Sequence, residues 1–232
     1  MDTCSPPNQP KKLAKHINLV RRDMSDLLFH FTRQRKTGEN IKSANLVLDD
    51  ILNEGKLRGT NQEGINDKVV CFTEAPIQEF NSIFSLASIG QTPRYEPYGV
   101  AVPKKWLYEQ GGRHVIYDDP NAKSSFSEAQ LYRFVPYDPL NGNDNTWERE
   151  WRIKKDELIL DPKHTLVIVP SSTEAFEIVY GRANISIEED WEADGFGEGY
   201  QTGSSEFHTP YWLAVSLDIF GFKTESNIKN LQ

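Results

Sequence analysis

A chain of 232 residues can bury one sizeable core, and 38 % apolar with 11 % aromatic content argues for a packed globule over a disordered chain. The formal charge of −8 argues against a broad electrostatic grip on nucleic acid, which relies on Lys and Arg displacing counterions from phosphates. There is no long apolar run of membrane-spanning length and no apolar stretch of a secretory signal near the start, so a cytoplasmic protein without membrane association is expected. Two cysteines, Cys4 and Cys71, cannot make a disulfide framework or a four-ligand zinc site by themselves, which suits a reducing compartment.

Residues 1–25 carry Pro6, Pro7 and Pro10 and then Lys11, Lys12, Lys15, Arg21 and Arg22, the composition of a flexible basic arm. A single α+β domain is expected over 26–232. Leu27 to Thr32 reads as a buried strand punctuated by His30. Ser43 can cap a helix with Leu46, Val47, Leu48, Ile51 and Leu52 on one broad face, and Gly55 can stop it. Lys68 to Thr73 is a β-branched strand ended by Pro76, and a helix is expected from Ile77 to about Ile89. Tyr98 to Val102 reads as a strand, followed by a short helix opening at Pro103 and closed by Gly111 and Gly112. His114 to Tyr117, Trp151 to Ile153 and Thr165 to Val169 are further strands, Ser127 to Val135 is ambiguous, and Tyr211 to Phe222 is a last apolar element. Gly-rich, acidic 190–205 reads as a loop.

Three motifs carry a resemblance. Leu28-Phe29-His30-Phe31-Thr32, then Ile51-Leu52-Asn53-Glu54-Gly55 closing a helix, then Val70-Cys71-Phe72-Thr73-Glu74-Ala75-Pro76, resemble the opening of AbiGi-type abortive-infection proteins and their relatives of unknown function. Tyr98-Gly99-Val100, Lys104-Lys105-Trp106, Val115-Ile116-Tyr117 and Glu148-Arg149-Glu150-Trp151-Arg152 continue that order. More distantly, the layout is similar to ADP-ribosyltransferase toxins of the DarT and CmdT kind. That resemblance implies split mixed and antiparallel sheets with flanking helices, and NAD as substrate. It gives His30, with Thr32 beside it, the nicotinamide ribose, and gives Glu150 the role of the later catalytic carboxylate. Breaking the N-glycosidic bond of NAD creates an oxocarbenium-like centre, which a fixed carboxylate stabilises and aromatic faces help to position.

Glu148, Glu150 and Arg152 have the period-two spacing of one strand face. Two close carboxylates can divide the labour, one polarising the ribose and one accepting a proton, with their pKa values pushed apart. No glycine-rich phosphate cradle is present, so the NAD phosphates would rest on Arg58, Arg94 or Arg113, and Tyr95, Tyr98 or Tyr117 would stack on nicotinamide. Taken as residue types alone, these groups have plainer uses. A histidine on an apolar strand is more often a satisfied core group than a catalyst, and charged strips are usually solvated ion pairs. Arg94 and Tyr95 can fix a Pro-flanked loop, and Trp106, Trp147 and Trp151 suit core or rim. No metal-site, Walker or serine-hydrolase pattern is present, and Cys71 reads as a buried small hydrophobe.

The expectation is therefore an anti-phage effector or toxin with mono-ADP-ribosyltransferase chemistry, a nucleic-acid or protein acceptor, and a cognate toxin or antitoxin partner. A non-catalytic antitoxin or interaction protein, and an NAD glycohydrolase, are the alternatives. Convergence of His30, a tyrosine and Glu150 in one concave pocket separates the enzymatic readings from the binding module.

Overall fold

The β-branched and aromatic runs around Leu28, Val70, Val100 and Val167 pair into one mixed eight-stranded sheet, the centre of a single α+β domain. The structure is a computed structural model that describes residues 23–62, 65–87, 95–193 and 199–222. In chain order, β1 (Leu27–Phe31) is followed by a small hairpin of β2 (Arg35–Thr37) and β3 (Asn40–Lys42), helix α1 (Ala44–Glu54), and short strands β4 (Lys56–Arg58) and β5 (Thr60–Gln62). The long β6 (Ile65–Thr73) leads through a 3-10 turn at Ile77–Glu79 into α2 (Phe80–Ala87). Next come β7 (Gly99–Pro103), α3 (Lys104–Glu109), β8 (Arg113–His114), β9 (Ile116–Asp118), α4 (Glu128–Leu131) and β10 (Phe134–Pro136). The remainder comprises β11 (Glu150–Lys154), β12 (Glu157–Ile159), β13 (Leu166–Val169), α5 (Ser172–Gly181), β14 (Asn184–Ala193), β15 (Gly199–Thr209) and β16 (Leu213–Ser216).

The main sheet runs β16-β13-β7-β1-β6-β11-β8, with β5 beside β6. β13 and β16 are parallel and the other neighbours antiparallel. β1 and β7 stay in register from Leu27 opposite Pro103 to Phe31 opposite Gly99, and β6 and β11 from Thr73 opposite Glu150 to Val69 opposite Lys154. β1 and β6, in contrast, meet at one pair, Phe29 opposite Thr73. The sheet is therefore two well-knit halves that part between β1 and β6.

Alternation puts a core on each face of the sheet. Leu28, Phe72, Val100, Val167 and Trp151 pack on one side against Val47, Leu48, Ile51 and Leu52 of α1, Ile178 of α5, and Trp212. Phe29, Phe31, Ala101 and Ile168 pack on the other against Phe80 and Phe84 of α2 and Leu217. α1 stops as expected, Gly55 adopting the left-handed conformation and donating its N–H to the Ile51 carbonyl. Leu46, expected on the apolar face, is 46 % exposed. Ser43 takes the cap position with no side-chain bond to the helix backbone, its hydroxyl donating to Asn45 Oδ1 instead.

Several sequence expectations change. The Gly-rich acidic stretch read as a loop over 190–205 contributes to both strands of the β14–β15 hairpin, because cross-strand backbone pairing outweighs the low strand propensity of Gly, Asp and Glu. The expected helix from Ile77 begins as a 3-10 turn, and its last residues lie outside the described residues, as do 1–22 of the N-terminal arm. The ambiguous 127–135 divides into α4 and β10. Helix α5 went unread although its capping box is in the sequence: the Ser171 hydroxyl accepts from the Glu174 N–H while Glu174 accepts from the Ser171 N–H. Among the described residues no helix is long and apolar enough to cross a membrane.

One glycine is fixed by close approach. A Cβ at Gly99 would lie 2.3 Å from the His30 carbonyl oxygen and 3.0 Å from Phe31 Cα, at the end of the β1–β7 pairing. Gly99→Ala is expected to destabilise the fold by about 1–3 kcal/mol through backbone overpacking, read as a lower urea midpoint with an unchanged slope.

Candidate active site

Where β1 and β6 part, the His30 side chain bridges the gap. Its Nδ1 lies 2.8 Å from the Cys71 carbonyl oxygen on β6. A carbonyl only accepts, so Nδ1 carries the proton and Nε2 keeps its lone pair. Burial holds the His30 pKa below its ordinary value, with Arg35 adding to the effect and the Cys71 bond opposing it. His30 is thus a neutral imidazole with Nε2 as an acceptor.

The carboxylates reach the same gap by another route. Thr146–Glu148 form a 3-10 turn, Arg149 takes the left-handed conformation at φ 46°, and β11 begins at Glu150. Glu148 is consequently not on the strand face predicted from the Glu148, Glu150 and Arg152 spacing: the left-handed residue interrupts the extended alternation. The reversal still brings both carboxylates to one cleft. Thr73 at the end of β6 steadies the turn, its hydroxyl donating to the Glu148 carbonyl at 2.5 Å and accepting from the Ala75 N–H. Tyr95 donates its hydroxyl to Glu148 Oε2 at 3.1 Å, with its ring edge-on to Trp147 at the rim.

Phe29, Phe31, Thr73, Tyr95, Glu148 and Glu150 line this cleft together with His30, enclosing about 80 Å³. By strand alternation His30 belongs to the face of Leu28, whereas Glu150, opposite Thr73, belongs to the face of Phe29. Residues of opposite parity meet here because the strands part. A second small cleft of about 50 Å³ lies against the α1 side of His30, lined by Arg35, Asp50, Glu54, Lys56 and Arg58. His30 is common to both. Arg35 and Lys56 were not singled out from the sequence; Arg35 follows His30 by five positions, across the turn into the β2–β3 hairpin.

Glu150 is held by Arg152. The guanidinium donates from Nε to Oε1 at 2.8 Å and from Nη2 to Oε2 at 3.1 Å, while Nη1 reaches the Tyr132 and Phe134 carbonyls. Burial lowers the Arg152 pKa, yet the bonds to Glu150 and its charge outweigh burial and keep it above the ordinary value. Burial first, and then the Glu150 charge, push the Cys71 thiol up, so it stays protonated and is no nucleophile. Tyr117 sits behind the cleft, accepting the Glu150 backbone N–H at 3.1 Å, and burial pushes its hydroxyl up to about 12.

The remaining predicted residues fall elsewhere. Thr32 is buried and donates its hydroxyl to the Ala44 and Tyr98 carbonyls, a tie between β1, α1 and the approach to β7. Tyr98 lines a separate pocket of about 470 Å³ between α1 and α5, where its hydroxyl donates to Glu174 at 2.7 Å and burial raises its pKa. Arg58 lines the second cleft, paired there with Glu54 and Glu157. Arg113 stacks on Tyr108 and bonds the Tyr108 and Gly112 carbonyls, away from both clefts. Arg94 lies outside the described residues. Glu74, left unassigned by the sequence, is buried, pairs with Lys104 and accepts the Trp151 indole N–H at 2.7 Å; it locks β6 to β11 and α3. Among the described residues no group of three or more His, Cys, Asp or Glu is arranged to hold a metal ion.

Comparison with family models, with curated proteins and with solved structures gave no match for this chain.

Two outcomes follow from these electrostatics. An unfolded chain takes up a proton at His30 near pH 6.5 that the folded chain refuses, so the His30 contribution to stability is complete above about pH 6.5 and is lost as pH falls from there through the depressed folded pKa. His114, whose pKa burial also lowers, keeps its own share. Between pH 7.5 and 5.5, His30→Gln is therefore expected to lose less unfolding free energy than wild type in urea titrations; equal losses would contradict the assignment. Arg152→Met leaves the Glu150 carboxylate buried without its cation and is expected to cost about 3–5 kcal/mol. Adding Glu150→Gln should recover more than half of that loss in the same titration.

Proposed function

We propose that this chain performs mono-ADP-ribosyltransferase-type chemistry on NAD, within an ADP-ribosyltransferase-like fold and as an effector or toxin of a bacterial anti-phage defence system. One observation carries the reading: His30, Tyr95, Glu148 and Glu150, drawn from three separate parts of the chain, line one cleft at the parting of β1 and β6. A sheet split at that point agrees with the split architecture that the motif resemblance implies. The bare Nε2 of a neutral His30 suits a ribose hydroxyl donor. Tyr95 supplies an aromatic edge for the nicotinamide ring, and Arg35 on the far side of His30 supplies a cation for the pyrophosphate, with Lys56 and Arg58 joining it on exchange of their pairs to Glu157 and Glu54.

In that chemistry the bond between ribose C1 and the nicotinamide nitrogen breaks, and its electron pair leaves with nicotinamide and neutralises the pyridinium. The acceptor's lone pair forms the new bond to C1 and its proton passes to a carboxylate. Glu150, fixed by Arg152, is placed to steady positive charge at C1, and Glu148 to take the proton once Tyr95 has swung aside for the substrate. Ligand pockets are commonly about 300–1,000 Å³. The 80 Å³ cleft therefore has to open on binding, and the reading requires the Tyr95 ring to leave Glu148 for it to do so.

The same two features favour a second reading, a non-catalytic interaction protein of an abortive-infection system: the cleft is small, and the carboxylate of Glu150 is already satisfied by Arg152. The distinguishing experiment is nicotinamide release from NAD by the purified chain, with and without cell lysate. The enzymatic reading expects release that falls by about 100-fold or more in Glu150→Ala and in His30→Ala, each shown to remain folded by circular dichroism. A lysate requirement identifies transfer to a macromolecule, and release without lysate identifies the glycohydrolase variant. No release under either condition supports the interaction protein.

A further inference from the structure

The β14–β15 hairpin stands apart from the rest of the molecule. Its hydrogen bonds run between its own two strands, a separate two-stranded sheet among the described residues. Both faces are open to solvent, with Ile185 60 %, Ile187 64 % and Trp191 60 % exposed. Alternation along β14 puts these three side chains on one face with Glu189, whose carboxylate accepts the Trp191 indole N–H at 3.1 Å. Glu188, Asp190 and Glu192 occupy the other face, where β15 places Phe207 opposite Ser186 and Tyr200 opposite Glu192, while His208 and Glu206 lie opposite Ile185 and Ile187 on the first face.

Charge sharpens this asymmetry. From 184 to 209 the chain has seven acidic residues and no Lys or Arg, which leaves the remainder of a molecule of net charge −8 almost neutral. Lys and Pro, two devices that blunt exposed strand edges, are absent from this segment; its edge is instead acidic and carries a register shift between Asp190 and Trp191, which leaves 184–190 as the regular stretch and selects a cationic strand. An isolated two-stranded hairpin is also marginal in water, so an added strand would supply both edge hydrogen bonds and apolar cover.

We propose that the β14–β15 hairpin is a docking element for a protein partner, which adds to its edge a strand alternating Lys or Arg with aliphatic side chains. Such a strand sets its aliphatic side chains beside Ile185, Ile187 and Trp191 and its cations beside Glu188, Asp190 and Glu192. Backbone bonds then supply affinity and the alternation supplies specificity. A second copy of the hairpin is disfavoured as occupant because its acidic face would meet like charge, and nucleic acid is disfavoured for the same reason. This inference does not depend on the NAD reading.

The test uses the full chain and a synthetic peptide about as long as β14, alternating Lys and Val, against a block peptide of the same composition and an alternating Glu and Val peptide. Wild type is expected to bind the alternating Lys peptide in fluorescence anisotropy. Binding should fall at least tenfold in the Ile185→Ser, Ile187→Ser pair. The Glu188→Lys, Asp190→Lys, Glu192→Lys variant should prefer the Glu peptide. Equal binding of the block peptide, or no binding of either Lys peptide at low salt, overturns the proposal. So does binding that emerges only when Lys11, Lys12 and Lys15 are changed to Glu, which would make the chain's own arm the occupant. Self-association abolished by Ile187→Ser would overturn it in favour of a second copy.

Discussion

The hydrogen bond from His30 Nδ1 to the Cys71 carbonyl is the constraint on which the site depends. β1 and β6 share one register pair, and beyond it each strand would present unpaired backbone groups to the gap. The imidazole satisfies one of those groups and in doing so fixes its own tautomer, ring orientation and charge state. It also spans the parting, so that the cleft against α1, with its mixed cations and carboxylates, and the carboxylate cleft against Tyr95 meet at one side chain. A continuous sheet would hold His30 and Glu150 on opposite faces.

Around that bond, polar groups are placed by specific ties. Glu74 fastens Trp151 and Lys104, Thr73 holds the turn that carries Glu148, and Arg152 grips both oxygens of Glu150 with the Nε–Nη2 edge of its guanidinium. The left-handed Arg149 is the local distortion that brings the two carboxylates together. Non-glycine residues in this conformation persist where surrounding contacts over-determine them, and they cluster at functional sites. A preorganised pair of carboxylates beside a neutral imidazole is an arrangement suited to charge stabilisation and proton acceptance.

Much of the domain was legible because hydrophobic periodicity is strong where burial is two-sided. The runs around Leu28, Val70, Val100 and Val167 each became a central strand, and the Val47, Leu48, Ile51 and Leu52 stripe with Gly55 became a stopped helix. The site was partly legible: His30, Tyr95, Glu148 and Glu150 meet in the cleft, whereas Thr32 and Tyr98 are engaged in structural hydrogen bonds elsewhere. What escaped the sequence depended on long-range pairing or on single-residue backbone geometry. Composition made 190–205 look like a loop, but 190–193 and 199–205 pair across a hairpin. Period-two spacing put Glu148 on a strand, but Arg149 reverses the chain there. Arg35 came near His30 only through the turn after β1, Glu74 found Trp151 on β11, and Arg152 reached the Phe134 carbonyl on β10.

The most direct measurement is the imidazole nitrogen spectrum of ¹⁵N-histidine-labelled protein, recorded without and with NAD and assigned through His30→Gln. The account predicts a neutral His30 protonated at Nδ1, with an unprotonated Nε2 whose resonance moves when NAD is added. A His30 protonated at Nε2, or an Nε2 resonance indifferent to saturating NAD, would contradict the claim that this side chain both bridges the parted strands and faces the substrate.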